Sequence, residues 1–155
     1  MPTEPHIYVD ADACPVKAEV AKVAERHGLA VTYVANAWMQ TPRAPRVRMQ
    51  VVAGQFDAAD DWIAGQAQPA DIVITADIPL ASRCLKAGAR VLGPSGKPFT
   101  EDNIGNALAT RELMADLRAY GVGGGPPPFG PRDRSRFLEA LERVVRDARQ
   151  ARASS

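Results

Sequence analysis

The stretch IYVDADACPVK, residues 7 to 17, ends a short apolar run in two aspartates one residue apart. Carboxylates are depleted in strands and repel one another, so Asp10 and Asp12 require compensation. A third acid, Asp77 in VITADIPLA, follows another β-branched run, and Asp60 and Asp61 in DAADDWI stand one turn into a helical pattern. If these groups meet, repulsion and burial raise their pKa values unless a cation stands among them. Mg2+ or Mn2+ suits that position, because both prefer carboxylate and water oxygens. Such an ion lowers the pKa of a bound water and stabilises charge on a phosphoryl oxygen; a pair of ions clamps the attacking and leaving oxygens. The expected catalytic and metal-holding set is Asp10, Asp12 and Asp77 with Asp61 or Asp60 as the fourth member. Asp12 and Asp77 have an alternative as helix caps, since each precedes an X-Pro helix start. Capping leaves Asp10 unexplained, because it still belongs to its strand.

The elements that must position these acids follow from periodicity. Apolar runs alternate with helix-period segments, which predicts an α/β fold on a mostly parallel sheet. HIYV is the first strand, and a helix spans 15–27 with Val16, Val20 and Val23 on one face and Gly28 at its end. LAVTYVA, VRMQVVA, DIVIT and ARVLG are the further strands. A helix follows Asp57, another follows Asp77, and a loop, NAWMQTPRAPR, carries Trp38. From Thr100 a long helix reaches about residue 119, and a last helix covers 133–149. In an open parallel sheet, ligands bind beyond the carboxyl ends of the strands. That edge takes Asp10, Asp12, Asp77 and Asn36; Asp71 starts its strand and belongs to the opposite edge.

The chain has 155 residues with 19 basic and 18 acidic side chains, so net charge selects no polyanionic partner. Seven arginines against four acids from residue 131 onward form the one basic concentration. They are a solvated face or a local phosphate contact. No apolar run reaches the roughly 20 residues of a membrane span, and the start lacks a basic-then-apolar leader, so a cytoplasmic protein without membrane association is expected. Two distant cysteines, Cys14 and Cys84, are expected as free thiols without a disulfide. His6 and His27 form no ligand-spaced cluster, which argues against zinc. GPSGKPFT lacks the spacing of a phosphate loop, although Lys97 could reach a phosphate. Cys14 lacks the following arginine of a cysteine phosphatase.

VDADACPVK, DAADDWI, VITADIPLA, GPSGKPFTEDNIGNALATRELM and GGGPPPFGPRDRSRFLEAL together resemble the YaiI/YqxD family of bacterial proteins, which is grouped with PIN-like domains. The resemblance implies one three-layer PIN-like α/β domain over 1–120, a Gly/Pro-rich linker over 121–130, and a C-terminal helix with a basic tail over 131–155 packed on the same domain. It further implies a divalent-metal-dependent nuclease acting on RNA or DNA. Asp10 then matches the first-strand acid and Asp77 the later strand-end acid, with Thr75 as polar support. Asn36, Lys97, Asn103 and Arg111 are candidates for substrate binding alongside Thr75. Two alternatives stay open: a nucleic-acid-binding module that does not cut, and a haloacid-dehalogenase-like phosphatase in which Asp10 is the nucleophile.

Overall fold

In the computed structural model, residues 4–54, 57–106, 108 and 129–153 are described. Strands β1 (Ile7–Asp10), β2 (Val31–Ala35), β3 (Val47–Val51), β4 (Ile72–Ile74), β5 (Arg90–Leu92) and β6 (Pro98–Phe99) form one sheet in the order β3-β2-β1-β4-β5-β6. All pairings are parallel except β5 with β6. Helices α1 (Lys17–His27), α2 (Ala58–Gln66), α3 (Ile78–Lys86), α4 (101–106) and α5 (Pro131–Ala153) complete the described elements. The α/β expectation holds, and the C-terminal helix packs on the same sheet.

Both faces of the sheet are covered, which is why the central strands read as nearly unbroken apolar runs. Ile7, Val9, Tyr33 and Ile74 point to one face, where they meet Val16, Val20 and Val23 at α1 and Phe137, Leu141 and Val145 of α5. Tyr8, Val34 and Val73 point to the other, against Ala59 and Ile63 of α2 and Leu80 and Cys84 of α3. This alternation decides the site, because Asp10 shares the face of Tyr8.

Several boundaries moved. The first helix begins at Lys17 rather than residue 15, since Ala11–Ala13 form a 3-10 turn that holds Asp12 at the surface, and Pro15 lies in the turn that follows. α5 is longer than 133–149 at both ends. Strand β6 was not anticipated: two residues, one of them proline, carry no strand pattern. Asp57 precedes α2, yet its side chain caps nothing there. Most of the long helix expected after Thr100, and residues 121–128 of the linker, lie outside the described residues.

Two packing details bear on function. Gly96 turns with φ +91°, and a Cβ there would stand 2.9 Å from the backbone of Arg136, so the 93–97 turn abuts the start of α5. At the opposite edge Asp71 is buried and accepts the backbone N–H groups of His6 (3.0 Å) and Gln68 (3.1 Å) and the guanidinium of Arg152. That buried carboxylate ties the last turn of α5 to the sheet. Among the described residues no helix is long and apolar enough to cross a membrane, and Cys14 and Cys84 are buried free thiols.

Candidate active site

The strand order reverses between β1 and β4, and a sheet of this topology opens a crevice beyond the carboxyl ends of those two strands. A cleft of about 300 Å3 lies there, and Asp10, Asp12, Asn36, Asp60 and Asp77 line it together with Cys14. Asp10 ends β1. Thr75, buried just past β4, donates its hydroxyl to Asp10 Oδ2 (2.8 Å) and accepts the backbone N–H of Asp77 (2.9 Å). One hydroxyl thus fixes two acids relative to each other. Asp77 in turn caps α3, its Oδ1 accepting the N–H of Leu80 (2.9 Å). Asp12 accepts the backbone N–H of Asn36 at 3.2 Å.

The helical acid that lines the cleft is Asp60. Ala59 and Ile63 bury one face of α2, which leaves Asp60 on the flank beside the cleft. Asp61 projects outward and pairs with Arg83 of α3 at 2.8 Å, with both side chains half or more exposed. Of the two helical acids left open by the sequence, Asp60 lines the cleft and Asp61 does not.

The electrostatics bear the mark of crowded acids. Burial, with the charges of Asp77 and Asp10 added, pushes Asp60 up to about 6. Burial also raises Asp10; the Thr75 hydrogen bond opposes this, and the Asp77 and Asp12 charges reinforce it. Burial raises the Cys14 thiol as well, which disfavours a thiolate nucleophile in this wall of the cleft.

The remaining candidates separate. Asn36 lines the cleft. Lys97 is exposed on the turn whose Pro94 forms part of the rim. Thr75 is too buried to touch a substrate and instead positions Asp10 and Asp77. Asn103 is committed to structure: Thr100 and Asn103 cap each other reciprocally, and Asn103 Nδ2 donates to Pro98 O at 3.0 Å. Arg111 lies outside the described residues. Sequence reasoning gave no role to Cys14 or Pro94 as walls of the cleft, because an apolar wall leaves no chemical pattern.

Whether the donors suit a divalent ion follows from their free oxygens. Among the described residues, Asp10 Oδ1, Asp77 Oδ2 and both oxygens of Asp60 accept no hydrogen bond. No three acidic, histidine or cysteine side chains among those residues stand close enough to ligate one ion jointly. This donor set fits a hard ion held by one or two carboxylates and its own water, the usual manner of Mg2+.

The family described as "Uncharacterized BCR, YaiI/YqxD family" matches residues 8–147. The chain belongs to that family. The match spans every acid of the cleft. Among similar proteins is a UPF0178 protein of Rhodopseudomonas palustris strain BisB5, 58% identical over 99% of this chain and 94% of its own length. Another, from Nitrobacter winogradskyi, is 58% identical over 96% of this chain and 95% of its own. A third, from Bradyrhizobium diazoefficiens, is 54% identical over 97% and 90%. No solved structure matches significantly.

Proposed function

We propose that the protein is a divalent-metal-dependent hydrolase of phosphodiester bonds in RNA or DNA, in the manner of PIN-like domains. The observation that carries this reading is the gathering of Asp10, Asp60 and Asp77, with Asp12, around one cleft at the switch point of the sheet, two of them with raised pKa values. Uncompensated carboxylates of this kind are costly to keep without a task. One or two of Asp10, Asp60 and Asp77 would hold the ion directly, and the others, with Asp12, would reach it through its bound water. When bound, Mg2+ or Mn2+ supplies charge stabilisation at the phosphate and activation of water. The chain's own contribution is positional. Thr75 holds Asp10 and Asp77 in fixed relation, and the cap on α3 fixes the orientation of Asp77. The exposed Trp38, 72% accessible at the same edge, offers a face for an unpaired base.

Purified protein assayed on single-stranded RNA and DNA with Mn2+ should cleave, and Asp10→Asn and Asp77→Asn should each lower the rate at least about 100-fold. Cleavage that persists in both variants would reject this site. Absence of cleavage by the wild type across metals and substrates would leave the non-cutting module. Covalent phosphate on Asp10 would instead mark the phosphatase.

A further inference from the structure

The sheet face that carries Asp10 has a second concavity on the far flank of α2. Tyr8 and Asp10 project to the same face, and the registers Tyr8↔Thr32↔Arg48 and Asp10↔Val34↔Gln50 carry it across to the β3 edge. α2 covers only part of this surface. Asp60 lies on one side of its buried face, toward the acid cleft, and Trp62 lies on the other. Between Trp62 and β3 runs a groove of about 790 Å3, inside the roughly 300–1,000 Å3 range of clefts that enclose ligands.

The chemistry of its walls is selective. His6 stacks on Tyr8 with centroids 4.4 Å apart, and Tyr8 meets Trp62 edge-on at 6.0 Å. The hydroxyl of Thr32 lies 2.7 Å from His6 Nε2 and fixes the ring. Along the rim stand Arg46, Arg48 and Gln50. Both arginines are exposed, neither has an ion-pair partner among the described residues, and no acidic side chain lines the groove. Charges on an edge strand also discourage pairing with other chains, and that accounts for the arginines alone. It does not account for three aromatic rings in line beside them, with Trp62 partly exposed along the groove.

We infer that this groove binds single-stranded nucleic acid, with a base against Trp62 and backbone phosphates on Arg46 and Arg48. Stacking requires unpaired bases, so a duplex is not the ligand. The strand would then lead to the acids. Gln50 pairs with Val34, and Asn36, two residues further along, lines the acid cleft. Two strand spacings and two residues of rise separate Arg48 from Asp10, about 12 Å. Only this last point rests on the hydrolase reading; binding in the groove stands without it.

Fluorescence anisotropy with a labelled oligouridylate or oligodeoxythymidylate of about 12 nucleotides, in EDTA so that nothing is cut, tests the inference on the full chain. Arg46→Ala with Arg48→Ala should weaken binding at least about 10-fold and lower the salt slope by about 1.4, the value for two single-strand phosphates. Trp62→Ala should weaken it about 5- to 100-fold and Trp62→Phe much less. In a Trp38→Phe background the emission of Trp62 should be quenched on binding. Circular dichroism verifies that each variant is folded; both arginines are exposed, so their replacement leaves the core intact. Binding with these effects but without cleavage under any metal would retain the groove and discard the hydrolase. Equal binding by wild type and the double arginine variant, equal competition by duplex, or no binding at all would overturn the inference.

Discussion

At the scale of single residues, the state of Asp60 sets a measurable stability signature. Its folded pKa of about 6 exceeds the ordinary 3.8, so the folded protein binds this proton more tightly than the unfolded chain does. The resulting stabilisation is complete below about pH 3.8 and fades as pH rises through 6; above that, the charged form opposes folding. In metal-free protein, Asp60→Asn should therefore raise stability at pH 7.5 by up to about 1 kcal/mol, a figure discounted because the group is partly open to solvent. The gain should vanish toward pH 4. Urea denaturation at both pH values measures it, and a variant less stable than wild type at pH 7.5 would show that the acids do not oppose one another. The choice of Asp60 over Asp61 was latent in the sequence: Ala59 and Ile63, four apart, set the helix phase. Thr100 was legible as a helix cap, but the return bond from the Thr100 N–H to Asn103 Oδ1 depends on the turn that brings the two residues together. The family resemblance made Thr75 legible as polar support beside Asp77, but its bond to Asp10 depends on the pairing of β1 with β4.

At the scale of elements, the sheet and its connecting helices were legible because period-2 and period-3.6 patterns separated cleanly. The two-residue β6 was not, since its pairing depends on the turn at 93–97 rather than on its own residues. The alternation of Arg46, just before β3, with Arg48 and Gln50 in it held an unread signal: polar residues at every second position mark an open sheet face. α5 is the element whose attachment matters most. Phe137 is wholly buried, and at the far end Arg149 donates to His27 Nδ1 (3.0 Å), to the His27 carbonyl and to Glu4 (2.7 Å). Because His27 Nδ1 accepts, Nε2 must carry the proton and donate to Glu142 (2.7 Å), which Arg26 also reaches. Burial and a polar clasp thus hold the same helix. Phe137→Ala should cost about 3–5 kcal/mol by leaving a cavity, and Arg149→Ala about 1–2 kcal/mol by releasing charged hydrogen bonds. Thermal denaturation ranks them; an Arg149→Ala effect equal to that of Phe137→Ala would reverse the assignment of α5 docking to its apolar face.

At the scale of the whole molecule, the two apolar cores hold together a cleft whose own groups resist assembly. Asp10 and Asp60 carry raised pKa values in the folded chain alone, so any cation that enters the cleft relieves a cost the rest of the fold sustains. A ligand that binds only the folded state stabilises it by an amount set by its concentration relative to Kd, about 2.7 kcal/mol at 100 times Kd. For a chain of this size that corresponds to a rise in Tm of roughly 5–10 °C. Mg2+ or Mn2+ should therefore raise the Tm of the wild type in a saturable manner, whereas Ca2+, with its longer bonds and higher ligand number, should do less. Asp10→Asn and Asp60→Asn should start from a higher Tm in EDTA and gain little from the ion. The opposite signs of the two effects separate a specific site from general ionic screening, which would shift every variant alike. A wild-type Tm indifferent to either ion would remove the divalent cation from this cleft and, with it, the reason for its crowded acids.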